Sequence, residues 1–188
     1  MKFSKLVAFL MAVVLCIGAV TVSFAERTEW TEELSDKLFS IACKALKGEG
    51  YRVDTYDECE SEVVNNTKWH TFRKNGKMKW RCDVTPKGYV TNLVNYDFYQ
   101  IYQSDREVRN AKTAKKSEIR KAMNKINSFL KKYNPKLLKQ VKKLKLDQVI
   151  VKGKNRYLDY SDQEWQGMQF MIRVYPSVRI EVFSAPLY

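Results

Sequence analysis

His70 is the single histidine of this chain, and that one ring narrows the chemistry open to it. Metal centres built on several histidines are excluded, and any Ser–His–Asp or Cys–His arrangement must use His70. Of the four cysteines, Cys16 falls in an apolar N-terminal stretch, which leaves Cys43, Cys59 and Cys82. No two have C-x-x-C spacing, so neither a redox nor a zinc motif has support. In an oxidising compartment three thiols imply one disulfide and one leftover. Three pairings are open. Cys59 with Cys82 is preferred, because Cys43 falls off the helical arc set by Leu34, Leu38, Ile41 and Ala45. Carboxylates cluster at Asp54, Asp57 and Glu58 and again at Asp159, Asp162 and Glu164. They have the chemistry of an acid–base pair or of calcium ligands, yet no Asp-x-Asp-x-Asp-Gly loop is present. Neither a Gly-rich phosphate loop nor a dinucleotide fingerprint occurs. No catalytic residue, metal or cofactor is therefore assigned.

The remaining chemistry is electrostatic. The net charge is +13, and residues 112–145 carry 12 lysines and Arg120 against Glu118 alone. The rest of the chain is close to neutral. On helical spacing Arg120, Lys121, Lys125, Lys131 and Lys132 lie opposite an apolar stripe, and Lys136, Lys139, Lys142 and Lys143 extend the same basic face. Lysine outnumbers arginine there, which suits diffuse attraction to an anionic surface better than bidentate recognition. The opposite pole is acidic, with five acids between Asp54 and Glu62. A second surface chemistry comes from Tyr89, Tyr96, Tyr99, Tyr102, Tyr157, Tyr160 and Trp165, residue types that serve protein interfaces well.

The elements that must position these groups are legible as changes of period. Thr31 followed by Glu32 and Glu33 opens a helix that runs to about Lys47, where Gly48 and Gly50 end it. Tyr51 to Thr55 is expected as a strand and Asp54 to Glu62 as an acidic loop. Asn75-Gly76 predicts a two-residue hairpin turn joining strands that begin near Trp69 and end near Cys82. Pairing Lys74 with Lys77 in an unbroken ladder places Trp69 opposite Cys82 and Thr71 opposite Trp80. Trp69, Thr71, Met78, Trp80, Cys82 and Val84 then form a core face, interrupted by Arg73. His70, Phe72, Lys79 and Arg81 fall on a wet one. On that register a Cys82–His70 dyad is ruled out. Tyr89 to Tyr102 reads as one long strand. From Ser117 a helical stripe of Ile119, Ala122, Met123, Ile126, Phe129, Leu130 and Tyr133 runs to Asn134-Pro135, which starts a second helix through Leu144. Strands return at Asp147–Lys152, Arg156–Tyr160, Met168–Tyr175 and Val178–Ser184.

The fold class expected is α+β: a helix and an antiparallel meander, then a helical hairpin and a second antiparallel meander. The helices pack on one face of the sheet, and the repeated order suggests a divergent duplication. The layout resembles that of small exported α+β modules such as the PepSY type, a likeness of element order that implies no activity.

Residues 1–25 combine Lys2 and Lys5, an apolar run from Leu6 and a Ser23-Phe24-Ala25 ending. That pattern is a signal peptide cleaved near Ala25, with an uncleaved N-terminal anchor as the alternative. Residues 26–188 then form one exported domain, periplasmic or secreted, or two lobes at 26–104 and 112–188. No later run is long enough to span a bilayer. The function expected is non-catalytic binding at the cell envelope, through the basic helical surface, to lipid, lipopolysaccharide or cell-wall polymer. Location disfavours nucleic acid. A protein-binding or inhibitor module using aromatic strands is the alternative, and a small secreted hydrolase a distant one.

Overall fold

A computed structural model describes residues 28–103, 106–163 and 167–186; the stretch expected to be a signal peptide, Glu164 and Trp165 lie outside the described residues. Helix α1 spans Glu32–Gly48. Strands β1 (Glu58–Val64), β2 (Thr67–Lys74), β3 (Lys77–Val84) and β4 (Val90–Asn95) follow, and helix α2 covers Tyr96–Gln103. The second half holds β5 (Glu107–Asn110), α3 (Lys116–Tyr133) and a 3-10 helix at Pro135–Lys143. It closes with β6 (Lys145–Lys152), β7 (Asn155–Ser161), β8 (Gln169–Tyr175) and β9 (Arg179–Ser184). The nine strands form one antiparallel sheet ordered β1-β2-β3-β4-β9-β8-β7-β6-β5, so the two meanders meet where β4 pairs with β9. No helix among the described residues is long and apolar enough to cross a membrane.

The two amphipathic helices form as their patterns dictate. Thr31 Oγ1 accepts a hydrogen bond from the Leu34 amide, satisfying an orphan donor of the first turn. Leu38, Ala42, Ala45 and Leu46 of α1 and Ala122, Ile126, Phe129, Leu130 and Tyr133 of α3 are buried in one cluster with Trp80, Leu93, Phe170, Ile172 and Phe183. Phe98 of α2 belongs to a second cluster, with Ile150, Tyr157 and Met171. Met171 alternates with Phe170 and Ile172 along β8, so the second cluster occupies the opposite face of the sheet.

Four local expectations are corrected. The stretch after α1 is a 3-10 turn at Val53–Thr55, not a strand. The acidic stretch is largely an edge strand, β1, whose glutamates suit it because charge discourages pairing with another chain. The long aromatic strand ends at Asn95, whose Oδ1 accepts from the Asp97 and Phe98 amides and turns the chain into α2. Tyr96 and Tyr99 therefore sit on a helix. Finally, the segment after Pro135 winds as a 3-10 helix.

The hairpin register is the fifth and most consequential correction. Lys74 does pair with Lys77 and Arg73 with Met78, but the ladder then steps to Phe72 opposite Trp80, leaving Lys79 as an extra residue. This β-bulge exchanges the faces of the β2 residues beyond it, while Trp80, Cys82 and Val84 keep the expected core face. His70 now lies opposite Cys82, and Trp69 opposite Asp83. His70 and Phe72 are buried, at 0% and 1% exposure. The physical reason is visible in Arg73, which interrupted the expected core face. The bulge instead leaves its guanidinium on the outer side, where Nη2 meets Glu60 Oε2 at 3.1 Å.

Candidate functional site: the basic face and the polar groups beneath it

The basic face is positioned by the stripe behind it. With Ile126, Phe129 and Leu130 held against the sheet, Arg120, Lys121, Lys131 and Lys132 on the far side of α3 are exposed. Glu118, the one acid between residues 112 and 145, is drawn off the face. Its Oε2 accepts from the Lys115 amide at the helix start, and its Oε1 lies 2.9 Å from Arg156 Nε of β7.

The 3-10 geometry adds an arrangement that an α-helix would not have. Leu137 and Val141 are buried, while Lys136, Lys139 and Lys142 are exposed. A 3-10 helix has three residues per turn and rises about 2 Å per residue, so these three lysines stand in one row about 6 Å apart. Lys143 is exposed beside them. Lys136 Nζ lies 5.0 Å from the centroid of the Tyr89 ring, and Lys132 Nζ 5.1 Å from that of Tyr133.

Lys125 departs from this set. It is half-buried, with Nζ 3.0 Å from Glu49 Oε1 and 3.2 Å from the Gly48 carbonyl oxygen, so it ties α3 to the end of α1. Glu49 Oε2 accepts from the Ile180 amide at 2.7 Å, which extends the tie to β9. Burial raises the Glu49 carboxyl pKa, opposed by that amide and by Lys125. Lys125 is therefore a structural cation, a role that helical spacing does not reveal.

A second polar node lies at the β4–β9 seam. The β8–β9 ladder steps from Val182 to Ile180 and leaves Glu181 as an extra residue. The bulge aims its buried carboxylate at three donors. Oε2 accepts from Tyr51 Oη at 2.9 Å and Asn95 Nδ2 at 2.6 Å, and Oε1 lies 3.1 Å from Arg173 Nε. Tyr51 also packs on Trp80, with ring centroids 4.2 Å apart. The node joins the loop after α1 to both meanders.

The residues singled out for catalysis are placed as follows. His70 and Cys82 do share a face, contrary to the expected register. His70 Nδ1 lies 2.8 Å from Ser61 Oγ, and its ring is 5.7 Å from Phe39. Burial, helped by Lys68, lowers the imidazole pKa to about 4. Burial also pushes the Cys82 thiol well above its ordinary value, with Asp83 and Cys43 adding to it. Both groups are therefore held neutral, the reverse of the thiolate–imidazolium pair that a nucleophilic cysteine needs. Asp159 is buried and accepts from Gln148 Nε2 and Gln169 Nε2. Asp57 accepts the Asn75 amide and Asp54 pairs with Arg52. Among the described residues no group of three or more His, Cys, Asp or Glu is arranged to hold a metal ion.

The cysteine pairing is corrected as well. Cys43, Cys59 and Cys82 are free thiols. Cys59 faces Phe72 and Cys82 faces His70, so all of β2 lies between them. Two strand spacings come to about 9.5 Å, beyond the roughly 7 Å between Cα atoms that a disulfide spans. Cys43, by contrast, packs against the core, close enough that ionising it would raise the pKa of both other thiols. Peptide mapping of oxidised, unreduced protein should accordingly yield no Cys59–Cys82 linkage, and any intramolecular disulfide that forms should contain Cys43. A Cys59–Cys82 peptide would contradict the sheet order.

Of the aromatic set, Tyr157 and Tyr160 are buried, Tyr89 and Tyr96 half-buried, and Tyr99 exposed. Trp165 and the Tyr102 side chain lie outside the described residues. No family model, curated protein or solved structure matches this chain.

Proposed function

We propose that this is an exported, non-catalytic binding protein of the cell envelope, whose α3 and 3-10 face contacts an anionic partner. The observation that carries the reading is the fate of Glu118. The one acid in a segment of thirteen bases is engaged by Arg156 and by the helix start, so the exposed face opposes an anion with lysine and arginine. Apolar residues of α3 are committed to the core, which favours electrostatic attachment over insertion. We further read the two units, α1 with β1–β4 and α3 with β6–β9, as a divergent duplication joined at the β4–β9 pair. Neither half then needs a linker, and the basic face belongs to the second unit alone.

Sedimentation of residues 26–188 with vesicles tests the reading. Binding is expected to anionic and not to neutral vesicles, and to be lost at high salt, because exposed charges are screened within a Debye length. Each lysine near an anionic surface is worth about 1 kcal/mol, so reversing Lys131, Lys132, Lys142 and Lys143 to glutamate should weaken binding at least about a hundredfold. Salt-independent binding, or binding that survives the reversals, would sink the proposal.

A further inference from the structure

A cleft of about 480 Å³ opens at the end of the sheet where the β1–β2 turn, the β3–β4 turn and the start of the 3-10 helix converge. Its volume is that of a small-molecule site. Asn65, Asn66 and Thr85 line it with amides and a hydroxyl, Lys87 and Lys136 with cations, and Tyr89 with an aromatic ring; no acid is among the lining residues. Asn65 and Asn66 have φ of 48° and 55°, the left-handed geometry that asparagine tolerates, so the turn places two amides side by side at the cleft wall. Lys136 is shared. It lines the cleft and begins the lysine row that continues through Lys139 and Lys142.

We infer that the cleft and the lysine row form one site for a linear acidic polysaccharide, a terminal sugar entering the cleft and its acidic groups continuing along the row. This rests on the anionic-partner reading above and names the partner's class. Amides and hydroxyls match the donors and acceptors of a sugar ring, and an aromatic face offers its apolar side a surface. The lining mixes these polar groups with apolar Pro86, Leu137 and Pro186, and an acyl chain filling the cleft would leave the polar groups without partners. The absence of acids among the lining residues weighs against a cationic ligand.

The test is calorimetry of residues 26–188 with an oligogalacturonate tetramer, a neutral oligosaccharide of equal length as control, and anionic vesicles in parallel. The tetramer should bind and the neutral oligomer should not. The double substitution Asn66→Gly and Lys87→Ala removes an amide and a charge from the wall while retaining a residue suited to positive φ. It should weaken tetramer binding about tenfold or more and leave vesicle binding nearly unchanged. Lys136→Met, at the junction, should weaken the tetramer similarly and gives a second variant if the first fails to fold. Vesicle binding without tetramer binding, or tetramer binding indifferent to both variants, overturns the inference and leaves the anionic-partner reading standing. Failure of both ligands overturns both.

Discussion

Replacing Glu181 by alanine should cost the fold about 3–5 kcal/mol, the range expected when one partner of a buried ion pair is removed. The carboxylate is 2% exposed and holds Tyr51, Asn95 and Arg173 together. Without it, the largely buried Arg173 guanidinium loses its counter-charge, and two further donors lose their acceptor. In a chain of this size the melting temperature should fall by roughly 10 °C. Chemical denaturation of wild type and variant measures the difference directly. Combining Glu181→Ala with Arg173→Met should recover part of the loss, since the stranded charge is then gone. A cost under about 1 kcal/mol for the single variant would mean that the node is ornamental, because an exposed ion pair is worth no more than that.

The second large effect concerns pH. His70 is fully buried, and its pKa lies at about 4 instead of 6.5. The unfolded chain therefore takes up a proton near pH 6.5 that the folded chain refuses. Stability from this group is complete above pH 6.5 and is lost as pH falls toward 4. At about 1.4 kcal/mol per pKa unit the loss approaches roughly 3 kcal/mol. Glu49, Asp83 and Asp159 act in the opposite sense. Their pKa values are raised by burial, so each adds stability as pH falls from its folded value toward its unfolded one. The His70 contribution is isolated by His70→Asn, whose amide can still reach Ser61. Near pH 7 the variant should be about 1–2 kcal/mol less stable, from lost contacts with Phe39. Toward pH 4 the gap should close or reverse. A gap constant across that range, followed by denaturant unfolding, would show that the imidazole titrates normally.

These two residues also show where reading the chain stops. Helices α1 and α3 were legible because their signals are local. Thr31 caps α1, period-3.6 stripes mark α1 and α3, and the C-terminal strands alternate at period two. Asn75-Gly76 set the hairpin turn and the pairing of Lys74 with Lys77, again within a few residues. One extra residue, Lys79, then inverted the faces of His70, Phe72 and Trp69. A bulge leaves no strong mark in a sequence, since its benefit is collected by contacts elsewhere, here Arg73 with Glu60. The helix α2 was hidden because Tyr96 to Tyr102 is rich in residues that also suit strands; Asn95 was the one signal for it.

The basic face divides the same way. Its charge, its lysine bias and the commitment of the opposite stripe to the core follow from composition and helical period, which depend on neighbours three and four residues away. That Lys125 belongs to a buried tie, that Lys136, Lys139 and Lys142 form a straight row, and that Lys136 meets Tyr89 at a cleft depend on tertiary structure. So do the pairing of Glu181 with Tyr51, 130 residues away, and the separation of Cys59 from Cys82 by a strand. By itself the sequence determined which surfaces carry charge and which stripes are apolar. The tertiary structure decided which polar groups meet, because burial and pairing across the sheet are set by contacts between residues far apart in the chain.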